Sequence, residues 1–360
     1  MADQDLVVET VRDILAGHEP FVLTEQRPWD EGLWTALAQA GLTGVGLPEE
    51  SGGSGGELAD AVAVVRTLAA GAGAVPAAEH LLVACPALVE ASLDLPPVDQ
   101  PVSVALAGEV TAAASDDGDG PGRFLLTGTA TDVAWAGVAG SLAVLTAPPA
   151  GMDGALLALV DASALEASRS VNLAGEPRGS IVLDGVPATG SVLSEEAAER
   201  VQARYALARA VQIAAALEQV LAWTLQYAGE RHQFGRPLGK FQAIQVELAE
   251  MAGEVTAVTA LTDAAVQAFD RAETGPHDTV LAAAAAKVRA GAAVEVVARR
   301  AHQVHGAIGF TQEYRLHHLT RRLWSWRDEG GSELGWAQVL GTGLLTGGPD
   351  DLWAALTRIV

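Results

Sequence analysis

The chain has 360 residues, of which 49% are hydrophobic and 19% charged, and its formal net charge at pH 7 is −23. This acidity argues against nucleic acid or a membrane surface as a partner, because both are themselves negatively charged, although a few local arginines can still hold a small phosphorylated ligand. The single cysteine, Cys85, excludes an intramolecular disulfide and favours a reducing, cytoplasmic setting, and no apolar run reaches the ~18 residues of a membrane span.

The N-terminal quarter of the chain has a helical pattern. Apolar residues within 6–93 recur at offsets of three and four, and Trp34, Leu37 and Leu42 share one face of a predicted helix. A glycine-rich stretch at 44–56 interrupts this pattern and has the composition of a phosphate-binding loop. It lacks the Lys-Ser/Thr ending of a P-loop and follows no clear strand, so a loop between packed helices is the preferred interpretation.

After Pro101 the pattern changes to short apolar segments that are separated by turns. These segments are residues 102–106, 124–127, 142–145, 155–160 and 180–183. An acidic, glycine-rich turn at 116–122 is one of the separators. Several short strands without intervening helices predict an antiparallel barrel or sandwich.

From Ser194 the helical period returns and continues to the end of the sequence. The chain is therefore predicted to have a multidomain α+β fold that is mostly α. The predicted parts are an N-terminal α domain at 1–98, a middle β domain at 99–193 and a C-terminal helical bundle at 194–360.

A polar, glycine-containing segment at 230–242 separates two long apolar helical patterns. It places a guanidinium (Arg231), a carboxamide (Gln233) and an aromatic ring (Phe234) close together at a helix end. Such groups suit a ligand, because arginine offers a planar fork to phosphate and glutamine both donates and accepts hydrogen bonds. On these residues alone, a simple turn in which Gly235 and Pro237 end one helix and begin the next is the preferred interpretation.

A second glycine-containing stretch occupies residues 301–311. Gly306 and Gly309 would let the backbone approach a flat or charged ligand that a Cβ would obstruct. His302 and His305 resemble a metal-binding pair, but no third ligand stands at a suitable spacing. His305 is therefore expected to be a helix-end histidine with an ordinary hydrogen bond.

A third stretch, at 321–333, places a carboxylate directly before two glycines. Glu329 follows Trp324 and Trp326 closely, and partial removal from water among such rings would raise its basicity toward proton abstraction. The alternative is a solvated surface glutamate, which is the common fate of this residue type.

Together these segments resemble the acyl-CoA dehydrogenase family over nearly the whole chain. The matching stretches are Trp34, 47–49, 51–53, 126–128, 230–238, 241–245 and 303–311. The resemblance implies an N-terminal α domain, a middle β domain and a C-terminal four-helix domain, with FAD between the β domain and the bundle of a neighbouring subunit. It also implies α,β-dehydrogenation of an acyl-CoA thioester in fatty acid or steroid catabolism, with an electron-transfer flavoprotein or a similar protein as acceptor.

The resemblance assigns roles to single residues by their position. Arg231 would contact the FAD pyrophosphate of the adjacent subunit, and Gln242 would contact its adenosine half. The other implied cofactor-binding residues are Phe234, Gln303, Gly306 and Ala307. Glu329 would be the catalytic base that removes the α proton, while Gly330 would bind the substrate through a backbone N–H beside the thioester carbonyl.

The β domain departs from the family pattern. Asp132 stands where the family usually has an aromatic residue beside the flavin, and the usual flavin loop is missing near 109–114. This combination resembles the smaller-type subunits of actinobacterial heteromeric acyl-CoA dehydrogenases, in which two related chains share each FAD site. A homodimer or homotetramer and a heterotetramer with a related chain are both compatible with the sequence. So are three functions: a catalytic subunit, a non-catalytic structural subunit that completes a partner's FAD site, and a related flavin oxidase or monooxygenase.

Overall fold

The computed structural model describes residues 2–18, 22–115, 122–168, 170–271 and 275–345. Most of the predicted acidic turn at 116–122 lies outside these residues. The chain divides into two compact units, which are Met1–Val65 with Gly73–Ala208 and Arg66–Ala72 with Arg209–Val360. The domain boundaries predicted at 98/99 and 193/194 stay predictions. None of the helices in the described ranges is long and apolar enough to cross a membrane.

The first unit begins with short helices that bury one apolar face each. Asp30 caps one of them by accepting a hydrogen bond from the Leu33 N–H at 2.9 Å, and Trp34 and Leu37 are buried, as the sequence pattern predicted. The helices are α1 (Ala2–Ala16), α2 (Glu31–Gln39), α3 (Leu58–Ala70, of which residues 66–70 belong to the second unit) and α4 (Cys85–Glu90), the last preceded by a π-helix at Glu79–Ala84.

The glycine-rich loop at 44–56 packs against itself. A Cβ on Gly53 would lie 2.3 Å from the carbonyl oxygen of Leu47, so only glycine fits there. The Gly46 N–H donates to the Gly55 carbonyl at 2.8 Å. These contacts account for the glycines by packing, which agrees with a loop between helices.

In the described residues, seven strands of the first unit form one sheet in the order β1-β4-β5-β7-β3-β2, with β6 beside β7. The strands are β1 (Val102–Ala105), β2 (Ala107–Ala114), β3 (Arg123–Ala134), β4 (Ser141–Thr146), β5 (Ala155–Asp161), β6 (Ser170–Val171) and β7 (Pro177–Leu193). β1 and β4 pair in parallel and the other neighbours are antiparallel, so the sheet is mixed. The strand β2 contains alanine and glutamate, which have low β propensity, and this explains why the sequence pattern did not predict it.

The second unit is built from long helices joined by short turns. Its elements are α5 (Glu195–Glu230, from Arg209 onward), a hairpin of β8 (His232–Gln233) and β9 (Arg236–Pro237), α6 (Gln242–Asp270), α7 (Pro276–His305), α8 (Leu316–Asp328) and α9 (Glu333–Leu345). Pro276 begins α7, and Gly306 ends it with a φ of 63° that favours glycine. The succession of helices, β sheet and helices confirms the predicted fold class.

Candidate functional site

The polar segment between α5 and α6 is a tight β-hairpin. Its two turn residues, Phe234 and Gly235, have φ angles of 50° and 80°, the left-handed values that a two-residue hairpin turn with both residues at positive φ requires. The Leu238 N–H donates to the Arg231 carbonyl at 2.8 Å and closes the hairpin. Phenylalanine is uncommon at positive φ, so this turn is held in an unfavourable backbone region.

The hairpin carries a local concentration of positive charge. The side chains of Arg231, Arg236 and Lys240 are exposed, in a chain whose net charge is −23. The Arg236 guanidinium lies over the Phe241 ring, with 4.2 Å between its central carbon Cζ and the ring centroid. The Arg231 guanidinium, in contrast, has neither a hydrogen bond nor an ion pair within the described residues. An unpaired planar guanidinium beside two further cations is suited to binding a phosphate or pyrophosphate group.

Two further predicted residues lie next to these cations. The Phe234 side chain is 92% exposed and contacts the Phe241 ring edge-on, with 6.2 Å between centroids. Gln242, the first residue of α6, is exposed, and its carboxamide has no partner within the described part of the chain. The neighbouring Gln245 instead donates to the Gly239 carbonyl at 3.0 Å and supports the turn.

The other three predicted cofactor-binding residues meet at the end of α7. Gln303, Gly306 and Ala307 are exposed and line a pocket with a volume of 550 Å³. The remaining lining residues are Ala298, Arg299, His302, Phe310 and Trp324. A Cβ on Gly306 would have no atom within 4 Å, so the space around this residue does not require glycine. Its positive φ angle does favour glycine, and the backbone is open to a ligand on that side.

The two histidines of this turn are held by protein groups. His305 donates from Nδ1 to the Ala301 carbonyl at 2.7 Å and contacts the Tyr314 hydroxyl through Nε2 at 3.1 Å. Burial lowers the pKa of His305 and of His302. The expected helix-end hydrogen bond is thus confirmed, and the described residues contain no group of three or more His, Cys, Asp or Glu side chains that could hold a metal ion.

Glu329 lies at the C-terminal end of α8, apart from the hairpin. Its side chain is 16% exposed, and its Oε2 lies 2.9 Å from Nη2 of Arg209, which is 1% exposed. Glu329 is therefore largely shielded from water rather than solvated, and part of that shielding comes from the Arg209 guanidinium. A neighbouring positive charge stabilises the ionised carboxylate and so opposes the gain in basicity that burial alone would produce.

The backbone after Glu329 is fixed by a tryptophan. Gly330 and Gly331 have φ angles of 70° and 92°, and the indole N–H of Trp336 donates to the Gly330 carbonyl at 2.7 Å. A Cβ on Gly331 would lie 2.4 Å from the Trp336 Nε1. The diglycine therefore makes a turn that closes on the first part of α9.

Sequence reasoning missed Arg209 and Lys287, which both contact this region. Lys287 is fully buried and donates from Nζ to the Arg327 carbonyl at 2.6 Å. Each is a cation in an alanine-rich helical pattern, on a helix face whose other residues are predicted to be buried. Charged side chains almost never occupy such positions without a partner, and this was the available signal.

Two family models match the chain. The model described as acyl-CoA dehydrogenase, N-terminal domain, matches residues 1–92, and the model described as acyl-CoA dehydrogenase, C-terminal domain, matches residues 198–333. The second match includes the hairpin, the end of α7 and Glu329.

The chain belongs to the acyl-CoA dehydrogenase family.

Membership makes this acyl-CoA dehydrogenase an oxidoreductase that acts on the CH–CH bond of an acyl-CoA, and it implies a flavin cofactor. The chain is 28% identical to acyl-CoA dehydrogenase IpdE2 of Mycobacterium tuberculosis over 331 residues, which cover 89% of this chain and 90% of that protein. Two solved structures are also similar. A variant of the Tcur3481-Tcur3483 steroid ACAD has a TM-score of 0.83 at 29% identity and covers 96% of this chain and 98% of its own. The ChsE4-ChsE5 complex from Mycobacterium tuberculosis has a TM-score of 0.82 at 26% identity, with 95% and 96% covered.

The β sheet of this acyl-CoA dehydrogenase has an irregular site at Asp132. The register of β3 against β7 shifts between Ala130 and Val133, and Asp132 is exposed with a φ of 54°. Close by, Trp135 has a φ of 57°, is 3% exposed and donates its indole N–H to the buried Glu79 carboxylate at 3.1 Å. The Asp132 side chain is thus exposed at the bulge, and the Trp135 ring is buried just after the end of the strand.

Proposed function

We propose that this chain is a subunit of an FAD-dependent acyl-CoA dehydrogenase, and that its second unit holds the FAD through the hairpin and the end of α7. The observation that carries the proposal is the exposed Arg231 guanidinium beside Arg236 and Lys240, which has no partner of its own in the described residues. A pyrophosphate supplies the negative charge that such a cluster needs.

Each predicted residue has a role in this proposal. Arg231 binds the pyrophosphate, Gln242 hydrogen-bonds the adenosine half, and Phe234 packs against the bound cofactor. Gln303, Gly306 and Ala307 line the same cofactor from the end of α7. The bound flavin would accept the hydride that leaves the β-carbon of the acyl group. Because all these side chains are exposed in a single chain, the cofactor is shared with a second subunit, which is either another copy or a related chain.

Glu329 is the proposed base of the reaction. Its carboxylate takes the α proton of the acyl-CoA thioester, and the Gly330 N–H stabilises the developing negative charge on the thioester oxygen. Arg209 keeps the carboxylate ionised and therefore ready to accept a proton. The same ion pair limits the strength of the base, so the contact must lengthen as the proton is transferred.

The test is Glu329→Gln in the assembled protein, compared with Glu313→Gln, which replaces an exposed glutamate of the same unit. Anaerobic bleaching of the flavin absorbance by an acyl-CoA measures the chemical step. We expect the Glu329 variant to react about 10²–10⁴-fold more slowly, the usual contribution of a general base. The control should react like the unchanged protein. Equal rates for both variants would remove Glu329 from the reaction.

A second candidate function is a non-catalytic subunit that completes a partner's FAD site. Two features favour it. The Arg209–Glu329 ion pair weakens Glu329 as a base. The exposed Asp132 carboxylate stands where an aromatic residue would pack beside a flavin held by this chain alone. In a complex with a related chain, Arg231→Met would then release flavin while Glu329→Gln would leave turnover unchanged. Arg271→Met, at an exposed arginine that bonds only Gln267 among the described residues, is the control.

A further inference from the structure

Two of the buried cations of the second unit, one in α5 and one in α7, are almost completely shielded from water. Arg209 in α5 is 1% exposed and Lys287 in α7 is 0% exposed. Both lie among alanines and valines on the core faces of their helices. A buried charge is strongly unfavourable unless it is paired or hydrogen-bonded, so each cation needs specific partners.

Both cations have a partner in one short segment, residues 327–333, which runs from the last turn of α8 to the start of α9, and Arg209 also donates to the Gln212 carboxamide on its own helix at 2.5 Å. Lys287 donates to the Arg327 carbonyl at 2.6 Å, and Arg209 pairs with Glu329 at 2.9 Å. Within the segment, the Arg327 guanidinium bonds the Glu333 carboxylate. Arg327 is in the last turn of α8, where carbonyls lack intrahelical partners and a cation is favoured by the helix dipole.

The positive and negative side chains named around this segment are equal in number. Arg209, Lys287 and Arg327 supply three positive charges, and Asp328, Glu329 and Glu333 supply three negative ones. Gly330 is held separately by the Trp336 indole. The segment is therefore fixed at both ends and at its centre, although it contains two glycines that would otherwise leave it free to change conformation.

We propose that Lys287 and Arg209 are positioning residues for the dehydrogenation, because together they fix the 327–333 segment and the Glu329 carboxylate that it carries. The inference rests on the proposed function for the role of Glu329 as base. Arg209 orients the carboxylate directly, and Lys287 sets the end of α8 from which Glu329 extends. Neither residue needs to touch the substrate.

Stability alone does not explain a lysine at this position. Replacing a buried charged group by an apolar side chain of similar size is often neutral or stabilising, and Ala284 and Ala290, three residues away on the same helix face, show that small apolar residues are buried there. Lys287 is nevertheless the residue that reaches the carbonyl end of α8. Orientation of the 327–333 segment explains why a charged residue occupies position 287, whereas packing alone does not.

The test compares Lys287→Met with Arg289→Met. Both variants remove a cation from α7, but Arg289 pairs with Glu254 of α6 and contacts no residue of the 327–333 segment among its described hydrogen bonds and ion pairs. Two measurements are made on the flavin-loaded assembly. They are kcat and KM with an acyl-CoA, and hydrogen exchange of the backbone amides of residues 328–335.

We expect Lys287→Met to lower kcat about 10²-fold, the size of effect that a small misplacement of a catalytic group produces, with KM within about twofold. Exchange of the segment amides should become faster in the same variant. Lys287→Arg, which keeps the charge, should recover part of both losses, and Arg289→Met should match the unchanged protein.

The possible outcomes distinguish a failure of the positioning role from a failure of the proposed function. If Glu329→Gln is inactive but Lys287→Met retains full kcat or normal exchange, the positioning role is wrong and the proposed function stands. If Glu329→Gln remains fully active, the proposed base is wrong and so is positioning for the reaction. A loss of activity by the Arg289 control equal to that of Lys287→Met would also overturn the proposal, because the effect would then be general.

Discussion

At the residue scale, Lys287 links the protonation of the protein to its stability. Burial and the neighbouring Arg209 lower the pKa of Lys287 from its ordinary 10.5 to about 8, while Glu333, Asp328 and Glu329 act in the opposite direction. Between these two pKa values the unfolded chain carries a proton on this lysine that the folded chain has lost. The free energy of unfolding therefore rises with pH across this range, because the unfolded state binds more protons.

The Lys287→Met variant should lack this rise. At pH 7 the unchanged protein bears the full penalty of burying a charged lysine, and by pH 10.5 most of that penalty has gone. At about 1.4 kcal/mol per pKa unit, the gap between the two proteins should change by about 3 kcal/mol in favour of the lysine form. Urea unfolding at pH 7, 8, 9 and 10 measures it, and parallel curves for the two proteins would contradict the prediction.

At the element scale, the hairpin between α5 and α6 combines an unfavourable turn with an exposed ring. Asparagine is favoured over phenylalanine at the first position of such a turn, because it tolerates positive φ. The 92% exposed Phe234 ring also adds nothing to the core of its own unit. The local sequence is thus arranged for a contact outside this unit rather than for the stability of the hairpin.

Phe234→Asn should consequently stabilise the fold and weaken cofactor binding. We expect a gain of about 0.5–1 kcal/mol in the free energy of unfolding of the flavin-free protein, from relief of the turn. The flavin retained after gel filtration should fall. Phe234→Leu is the matched control, since it keeps an apolar side chain and the same disfavoured turn. Undiminished flavin in the asparagine variant would show that the ring does not contact the cofactor.

Much of this element could be predicted from sequence, and some of it could not. Residues 230–242 were recognisable as a polar break between two helical patterns, because Gly235 and Pro237 cannot continue a helix. The hairpin turn itself was not, since Phe-Gly is a poor match to the residues that usually form it. The pairing of Arg209 with Glu329 joins positions far apart in the chain, and a single sequence contains no signal for which partner a buried cation selects.

At the scale of the whole molecule, a small cationic hairpin belongs to a strongly acidic chain. The net charge of −23 repels FAD, which is itself an anion, while the proposed contact with Arg231 would attract its pyrophosphate at short range. Salt screens the long-range repulsion first. The Debye length falls from about 30 Å at 0.01 M salt to about 8 Å at 0.15 M.

Reconstitution of the flavin-free protein should therefore become faster as salt rises over this range. Stopped-flow quenching of FAD fluorescence measures the rate, and sucrose at matched osmolality controls for effects other than screening. The dissociation rate should rise as well, because the Arg231 contact is also screened. A reconstitution rate that falls steadily with salt would show that the local cations, not the net charge, govern the approach of FAD.

The order of helices, strands and helices was legible in the sequence because periodicity changes from helical to extended and back. The parallel pairing of β1 with β4 was not, since strand order depends on contacts between segments far apart in the chain. In the same way, the alanine-rich pattern of α7 predicted a buried helix but did not reveal that Lys287 reaches the end of α8.

The scarcity of lysine in this chain has a practical consequence. It has two lysines among 22 basic residues, of which Lys240 is exposed on the hairpin and Lys287 is sealed in the bundle. An acetylating reagent applied to the folded protein thus meets a single accessible ε-amine, and that amine lies beside the proposed cofactor contacts. The extent of Lys240 acetylation would measure whether the hairpin is covered by a ligand or partner, and acetylation of Lys287 would measure opening of the bundle. The masses of the two peptides that contain these lysines therefore report two separate events in one sample.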